Sequence, residues 1–210
     1  MQLQLIDWSA IAAFFIISAA IGVIASRTAG KSFSEYFLAG GKMSWWMLGL
    51  SMVATTFAAD TPNLVTDIVR RNGVSGNWVW WAFLLTGLLT VFVYAKLWKR
   101  SGVLTDLEFY EIRYSGKPAA MLRGFRAIYL GVVFNCLVMA NVILAGIKLS
   151  SVLLGATPMQ TVIVAGTVTV VYTLLGGLRG VILTDCFQFI IAMVGAIAAA
   201  YFVCQLPEVG

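Results

Sequence analysis

The chain has 210 residues, of which 60% are hydrophobic and 11% are charged, and its formal net charge is +5. Because an ordinary soluble chain is about half apolar and about a quarter charged, this composition excludes a water-soluble enzyme and indicates a membrane protein. Histidine is absent, which excludes imidazole metal sites, Ser-His-Asp triads and His-based proton relays. The cysteines, three in number, lie in apolar runs, so we expect no disulfide framework.

Several apolar runs are long enough to cross a bilayer, which requires roughly 20 residues of helix. We place six spans at residues 8–26, 45–69, 78–98, 125–154, 159–175 and 181–205. Asp7 is the expected N-cap of the first span. That span also lacks the charged leader and small-residue cleavage site of a signal peptide, so we expect it to remain in the mature protein. The sequence therefore predicts an all-α membrane protein whose residues 1–210 form a single transmembrane domain.

The loop cations indicate the orientation of these spans, because Lys and Arg near helix ends resist translocation. Alternate loops place most of the cations on one side of the membrane, and that side is predicted to be cytoplasmic. The opposite side carries only Arg70, Arg71 and Lys148. Six spans then put both termini of this segment outside a plasma or inner cell membrane. Topology accounts for the positive charge, so we expect no nucleic-acid partner.

The second predicted span contains an acidic residue beside a proline. Pro62 cannot donate a hydrogen bond to the Ala58 carbonyl and clashes with that turn, so we expect the helix to break there. A broken helix inside the bilayer leaves carbonyls for a cation and a half-helix N-terminus for a solute dipole. The hydroxyls of Thr55 and Thr56 lie next to the break. The alternative is a proline kink, in which hydroxyls satisfy the freed carbonyls and Asp60 caps the following half-helix. We favour the site, because a kink needs no carboxylate.

A second intramembrane carboxylate, Asp185, follows a glycine-rich turn predicted at residues 176–180. We place it about five residues into the sixth span, within the inner half of the membrane. A carboxylate at that depth is normally functional. It could equally be a helix-start carboxylate stabilised by the macrodipole, or a partner of Arg179. Gln188 shares its helical face.

Two features outside the spans have structural interpretations. Asp67 lies close to Arg70 and Arg71 in the sequence, which indicates a surface ion pair. Residues 105–108 match a capping box, and Phe109 and Ile112 follow on one helical face. The sequence therefore predicts a short interfacial helix that rests on the lipid headgroups.

Three segments together resemble the N-terminal portion of a sodium/solute symporter. Residues 36–46 (YFLAGGKMSWW) resemble the family's lead into its broken helix. Residues 105–114 (TDLEFYEIRY) resemble its loop helix, and residues 172–188 (YTLLGGLRGVILTDCFQ) resemble its GGL-containing signature. The three segments occur in the family's order and span most of the chain.

This resemblance implies a LeuT-type architecture, in which two inverted repeats of five helices follow one extra N-terminal helix. Residues 1–30 would be the extra helix and residues 45–205 the first repeat, whereas the second repeat is absent from this chain. The resemblance also implies sodium as the coupling ion, with no further cofactor.

The resemblance assigns roles to individual positions. The backbone carbonyls of Ala54 and Phe57 match the sodium ligands of the fold. Asp185 matches an aspartate that serves a second cation site or pathway in some members. The positions that match the family's substrate pocket are Thr56, Asp60 and Thr61.

The leading hypothesis is sodium-coupled secondary transport of a small organic solute by alternating access, with this chain as the N-terminal part of a symporter and not an enzyme. Its expected partners are the solute, sodium, the lipid bilayer, and a second repeat or partner chain. The alternative is a non-transporting membrane subunit, or a half-transporter scaffold that requires a partner chain.

Overall fold

The computed structural model describes residues 4–206, which are helical and contain no β-strand in that range. The α-helices of these residues are α1 (Leu5–Ala29), α2 (Phe33–Leu38), α3 (Trp45–Thr56), α4 (Asp60–Asn72), α5 (Trp78–Leu89), α6 (Ala95–Ser101), α7 (Asp106–Arg113), α8 (Gly116–Ile128), α9 (Asn135–Leu154) and α10 (Pro158–Cys204). The chain divides into two compact units, one formed by Met1–Thr61 with Gly146–Gly210 and the other by Pro62–Ala145. We call them the first and the second unit.

Shorter helical segments join some of these helices. A 3-10 turn at Ala39–Gly41 follows α2, and another at Val74–Asn77 precedes α5. The π-helical segments Thr90–Tyr94 and Tyr129–Phe134 make α5 continuous with α6 and α8 continuous with α9. Among the described residues, the helices long and apolar enough to cross a membrane are Leu5–Ala29, Val74–Ser101, Gly116–Leu154 and Pro158–Cys204.

These four helices cover the first, third and fourth predicted spans and, in one helix, the fifth and sixth. The second predicted span is interrupted, and neither α3 nor α4 is long enough alone. The fifth and sixth spans share α10, whose 47 residues contain one non-helical position, Gly177. The predicted turn over residues 176–180 is therefore wrong in extent, because only one of its residues leaves the helical conformation. The count of six spans stays a prediction.

The start of α1 also corrects the sequence analysis. Gln4, and not Asp7, is the N-cap of this helix. The Asp7 carboxylate instead accepts the Gln4 amide at 2.8 Å, one turn into the helix. A carboxylate there still stabilises the N-terminus, because it satisfies an amide that the helix leaves unpaired.

In the first unit, small residues bring α1 and α10 into close contact. The buried positions of α1 are Ser18, Gly22, Ala25 and Ala29, which recur at helical spacing on one face. A Cβ on Gly176 of α10 would lie 3.4 Å from the Gly22 Cα atom. Membrane helices that lack large side chains at an interface can pack backbone against backbone, so this contact is stabilised by dispersion over short distances.

In the second unit, one sequence prediction is confirmed in part and another in full. The Thr105 hydroxyl accepts the Glu108 amide at 3.3 Å and caps α7, but the Glu108 carboxylate accepts the Leu104 amide instead of the Thr105 amide, so only half of the predicted capping box forms. The exposed Asp67 carboxylate pairs with Arg71 at 2.9 Å, one helical turn away. Across both units, the three cysteines are free thiols.

Candidate cation and solute site

The helix interruption predicted near Pro62 is present in the first unit. Helix α3 ends at Thr56, and Phe57 leaves the helical region with φ −96° and ψ 66°. Helix α4 begins at Asp60, which places Pro62 in its first turn. Proline suits that position because a first-turn amide has no intrahelical acceptor. The unwound residues are therefore 57–59, and we call them the first break.

The first break leaves carbonyl oxygens with acceptor capacity. The Phe57 amide donates to the Val53 carbonyl at 3.2 Å and to the Ala54 carbonyl at 3.1 Å. The Thr61 amide donates to the Ala58 carbonyl at 3.1 Å. Because a carbonyl oxygen carries two lone pairs, the Ala54 and Phe57 carbonyls have acceptor sites for a cation.

The threonine hydroxyls around the first break donate to the backbone. The Thr56 hydroxyl donates to the Val53 carbonyl at 2.8 Å, and the Thr61 hydroxyl donates to the Thr56 carbonyl at 3.2 Å. These bonds are those expected of the kink alternative, in which hydroxyls satisfy freed carbonyls. They do not involve the Ala54 or Phe57 carbonyls. Each hydroxyl oxygen also retains lone pairs for a ligand.

Asp60 lies at the first position of α4 and is partly buried. The residue has an interaction partner within the chain. A negative charge in the first turn is favourable, because it opposes the positive end of the helix dipole. The same placement puts the carboxylate directly after the unwound residues.

The second carboxylate predicted to lie in the membrane, Asp185, is bonded to α3. The Ser51 hydroxyl donates to the Asp185 carboxylate at 2.5 Å, and the two residues are 134 positions apart in sequence. Ser51 is buried, with 9% of its surface exposed. One turn further along α3, the Thr55 hydroxyl also interacts with this carboxylate, although its proton is directed to the Ser51 carbonyl at 2.8 Å. The hydrogen bond therefore joins α10 to α3 one turn before Ala54.

Both structural alternatives for Asp185 are wrong. Asp185 does not start a helix, because it lies within α10 about two turns after Gly177. Among the residues that the structure describes, Asp185 takes part in no ion pair, and Arg179 is exposed. The neighbouring Thr184 is fully buried and donates to the Gly180 and Val181 carbonyls. Asp185 therefore lies next to the most tightly packed stretch of α10.

Sequence reasoning missed Ser51. A signal was present, because Ser51 precedes Thr55 by one helical turn and so shares the face that carries the hydroxyls beside the break. What the sequence could not supply was the partner, since a contact across 134 positions depends on how α3 packs against α10.

The structure thus brings the predicted residues together in one unit. Five of them lie between residues 54 and 61, and Asp185 joins them through Ser51. Among the described residues there is no group of three or more Cys, Asp or Glu side chains that could hold a metal ion. Neutral oxygens with one carboxylate suit a hard monovalent cation better than a transition metal, which prefers nitrogen or sulfur ligands.

Comparison with known proteins identifies the family. The chain belongs to the sodium:solute symporter family, whose model matches residues 36–210. It is 28% identical over 205 residues to solute carrier family 5 member 4B of Mus musculus, covering 97% of this chain and 30% of that protein. It is 32% identical over 191 residues to sodium-coupled monocarboxylate transporter 2 of Homo sapiens, covering 90% of this chain and 30% of that protein. It is 27% identical over 205 residues to sodium/glucose cotransporter 1 of Oryctolagus cuniculus, covering 97% of this chain and 30% of that protein.

The resemblance stated from three sequence segments is therefore confirmed. The chain spans about 30% of the length of these relatives. No solved structure gives a significant match. The relatives are named as transporters or solute carriers, and none of those cited is named as an enzyme.

Proposed function

We propose that this chain is the N-terminal part of a sodium-coupled symporter that moves a small organic solute across a cell membrane. The observation that carries the proposal is the first break. There an unwound backbone directly before Asp60 offers carbonyl oxygens, in a chain that belongs to the sodium:solute symporter family. Such discontinuous helices are the usual ion and solute sites of secondary transporters.

Each residue of the site has a role in this proposal. Sodium binds the backbone carbonyls of Ala54 and Phe57, because a carbonyl oxygen has two lone pairs and can accept a cation beside an amide. Asp185 provides a second cation site or a step on the cation pathway, and the Ser51 hydroxyl fixes the orientation of its carboxylate. The solute binds beside the three polar positions of the break, Thr56, Asp60 and Thr61.

The architecture in this proposal is the LeuT type. Helix α1 is the extra N-terminal helix, and residues 45–205 form the first five-helix repeat. Alternating access moves this repeat against a second repeat, which another part of the protein or a partner chain supplies. Binding of sodium stabilises the arrangement that accepts the solute, so the two bind cooperatively.

The charge of the site bears on the class of solute. The relatives include proteins named for glucose and for monocarboxylates. An ionised Asp60 beside the solute would repel a carboxylate across a poorly screened distance. We therefore favour a neutral or cationic solute that donates hydrogen bonds to Asp60.

The experiment is solute uptake by the complete gene product in proteoliposomes, with an inward gradient of sodium or of potassium. A panel of sugars, amino acids and carboxylates is screened first. Asp60→Asn is then compared with Asp67→Asn, a matched removal of a carboxylate that lies seven positions further on and is exposed and paired with Arg71. We expect Asp60→Asn to abolish sodium-driven uptake and Asp67→Asn to leave it within about twofold of wild type, because surface ion pairs contribute little.

Two results would overturn the proposal. Uptake that is equal in the sodium and potassium gradients would exclude sodium coupling. Absence of uptake of any solute, together with copurification of a second polytopic chain, would favour the scaffold or half-transporter alternative. Unchanged uptake in Asp60→Asn would remove that residue from the solute site while leaving sodium coupling intact.

A further inference from the structure

Helices α6, α7 and α8 of the second unit form one structural element, which we call the basic platform (Ala95–Ser101, Asp106–Arg113 and Gly116–Ile128). The ring of Trp98 in α6 contacts that of Phe109 in α7, with 5.2 Å between the ring centres. The guanidinium of Arg126 in α8 lies 4.9 Å above the ring of Tyr110 in α7. Aromatic and cation–π contacts therefore hold the three helices together.

The acidic groups of the basic platform are all engaged within it. Asp106 pairs with Arg126 at 3.7 Å. Glu111 pairs with Arg123 at 2.5 Å. Glu108 accepts the Leu104 amide at 2.8 Å. Two of its cations are therefore neutralised locally, whereas Glu108 forms no ion pair among the described residues.

The remaining cations of the basic platform are uncompensated. Within residues 4–206 they form no ion pair, and all are exposed. They are Lys96, Lys99, Arg100, Arg113 and Lys117. A cluster of that size next to a membrane-spanning helix matches the signature of a surface that binds acidic headgroups.

Large apolar side chains are exposed on the same element. Ile112 is 69% exposed, Met121 79% and Phe125 62%. Cations combined with bare apolar side chains are typical of helices that lie in the bilayer interface, where the apolar groups enter the acyl region. A soluble acidic partner would account for the cations and leave the apolar groups in water.

The lengths of the adjoining helices place the basic platform at the headgroup level. The helix Gly116–Leu154 has 39 residues and Val74–Ser101 has 28, whereas crossing the hydrocarbon core takes roughly 20. The excess, which carries charged residues at the α6 end of one helix and the α8 end of the other, cannot lie in hydrocarbon without a large cost.

We propose that the basic platform binds the phosphate groups of anionic phospholipids. The five uncompensated cations contact lipid phosphates, and the exposed apolar side chains insert among the neighbouring acyl chains. This surface is independent of the cation and solute site, so either assignment can fail without the other.

The test measures the lipid that stays with the purified complete gene product. The protein is reconstituted in equimolar phosphatidylglycerol and phosphatidylcholine and extracted into mild detergent, and the retained lipids are counted by native mass spectrometry. The variant carries Lys96→Gln, Lys99→Gln, Arg100→Gln, Arg113→Gln and Lys117→Gln. The matched control carries Arg70→Gln and Lys148→Gln, which remove exposed cations outside the basic platform.

We expect wild type and the control to retain phosphatidylglycerol in excess over phosphatidylcholine, and the variant to retain the two lipids equally. Each cation near an anionic surface contributes about fivefold in binding, so the pairs Lys96→Gln with Lys99→Gln, and Arg113→Gln with Lys117→Gln, should each reduce the excess. These double variants keep the test valid if the variant with all five substitutions does not fold. The excess should also vanish near 1 M salt, where the screening length is about 3 Å. Equal retention by wild type, or an undiminished excess in the folded variants, would overturn the proposal.

Discussion

The first unit contains two helix interruptions of opposite character. At the first break the chain unwinds over residues 57–59 without a glycine, and Phe57 is 41% exposed. At Gly177, which we call the second break, a single buried residue leaves the helix with φ 55° and ψ −162°. The first break leaves carbonyl oxygens available, whereas the second is enclosed by α1 and α2.

The difference follows from what surrounds each interruption. A Cβ on Gly177 would lie 2.8 Å from the Tyr36 carbonyl oxygen and 3.3 Å from the Ala29 Cβ atom. The space around the second break is thus filled by the Tyr36 backbone and by the side chains of Tyr36 and Ala29. The two interruptions therefore differ in role: the second fixes how the helices pack, and the first is the proposed site for a cation and a solute.

The largest expected effect is that of Gly177→Ala on folding. Its backbone conformation is close to a region that only glycine occupies readily, and the added methyl would overlap the Tyr36 carbonyl. Strain and overlap together should cost about 3 kcal/mol or more. We expect little monodisperse protein in size-exclusion chromatography of the detergent-solubilised gene product.

The control for this substitution is Gly195→Ala, also in α10. A Cβ on Gly195 would have no heavy atom within 4 Å, and alanine favours the helix by up to about 1 kcal/mol. Wild-type yield and thermal stability are expected. Equal yields of the two variants would show that the second break is not closely packed.

A smaller effect is expected for Gly22→Ala, which probes the α1 side of the same packing. A Cβ there would lie 3.0 Å from the Tyr172 Cβ atom and 3.1 Å from its carbonyl oxygen. Because the backbone conformation is an ordinary helix, only overpacking opposes the change, at about 1 to 3 kcal/mol. Thermal melting in detergent should show a lower midpoint than for Gly166→Ala, whose Cβ would meet nothing within 4 Å. Equal midpoints would contradict close packing of α1 on α10.

The two breaks also differ in how far the sequence could predict them. Pro62 and Asp60 predict the first break, because a proline at that position cannot continue a helix. The glycines at 176 and 177 predicted a wider turn than the structure contains. A glycine run specifies where a turn is possible, and the packing of Tyr36 and Ala29 decides how many residues leave the helix.

The candidate site, too, could be predicted from the sequence only in part. The positions from Ala54 to Thr61 follow from local sequence and from the family resemblance. The bond between Ser51 and Asp185 does not, because it depends on which faces of α3 and α10 meet. Local patterns therefore specify the unwound backbone, whereas tertiary packing decides that Asp185 bonds to Ser51.

An intermediate effect is expected for Ser51→Ala, which removes the hydrogen bond from α3 to Asp185. Hydrogen bonds to charged groups contribute about 1.5 to 3 kcal/mol, so the half-saturating sodium concentration for uptake should rise by about ten- to a hundredfold. Stabilisation of the purified protein by sodium, measured by thermal melting against potassium, should weaken in parallel.

Two variants separate this role from general packing. Ser51→Thr keeps the hydroxyl and should restore most of the sodium response. Ser9→Ala removes an exposed hydroxyl of α1 that donates to the Ile6 carbonyl at 2.7 Å, and it should change nothing. An unaltered sodium response in Ser51→Ala would show that the orientation of Asp185 does not depend on this bond.

The smallest effect is expected for Phe57→Leu, and it sharpens the contrast between the two breaks. A methyl group added at Gly177 meets backbone, whereas a ring removed at Phe57 leaves an exposed position. The cost in stability should be under about 1 kcal/mol, since exposed positions contribute little. The sodium response should also persist, because the proposed ligand at this position is the backbone carbonyl, which the substitution retains. Loss of the sodium response in a variant that melts at the wild-type temperature would mean that the side chain, and not the unwound backbone, governs cation binding at the first break.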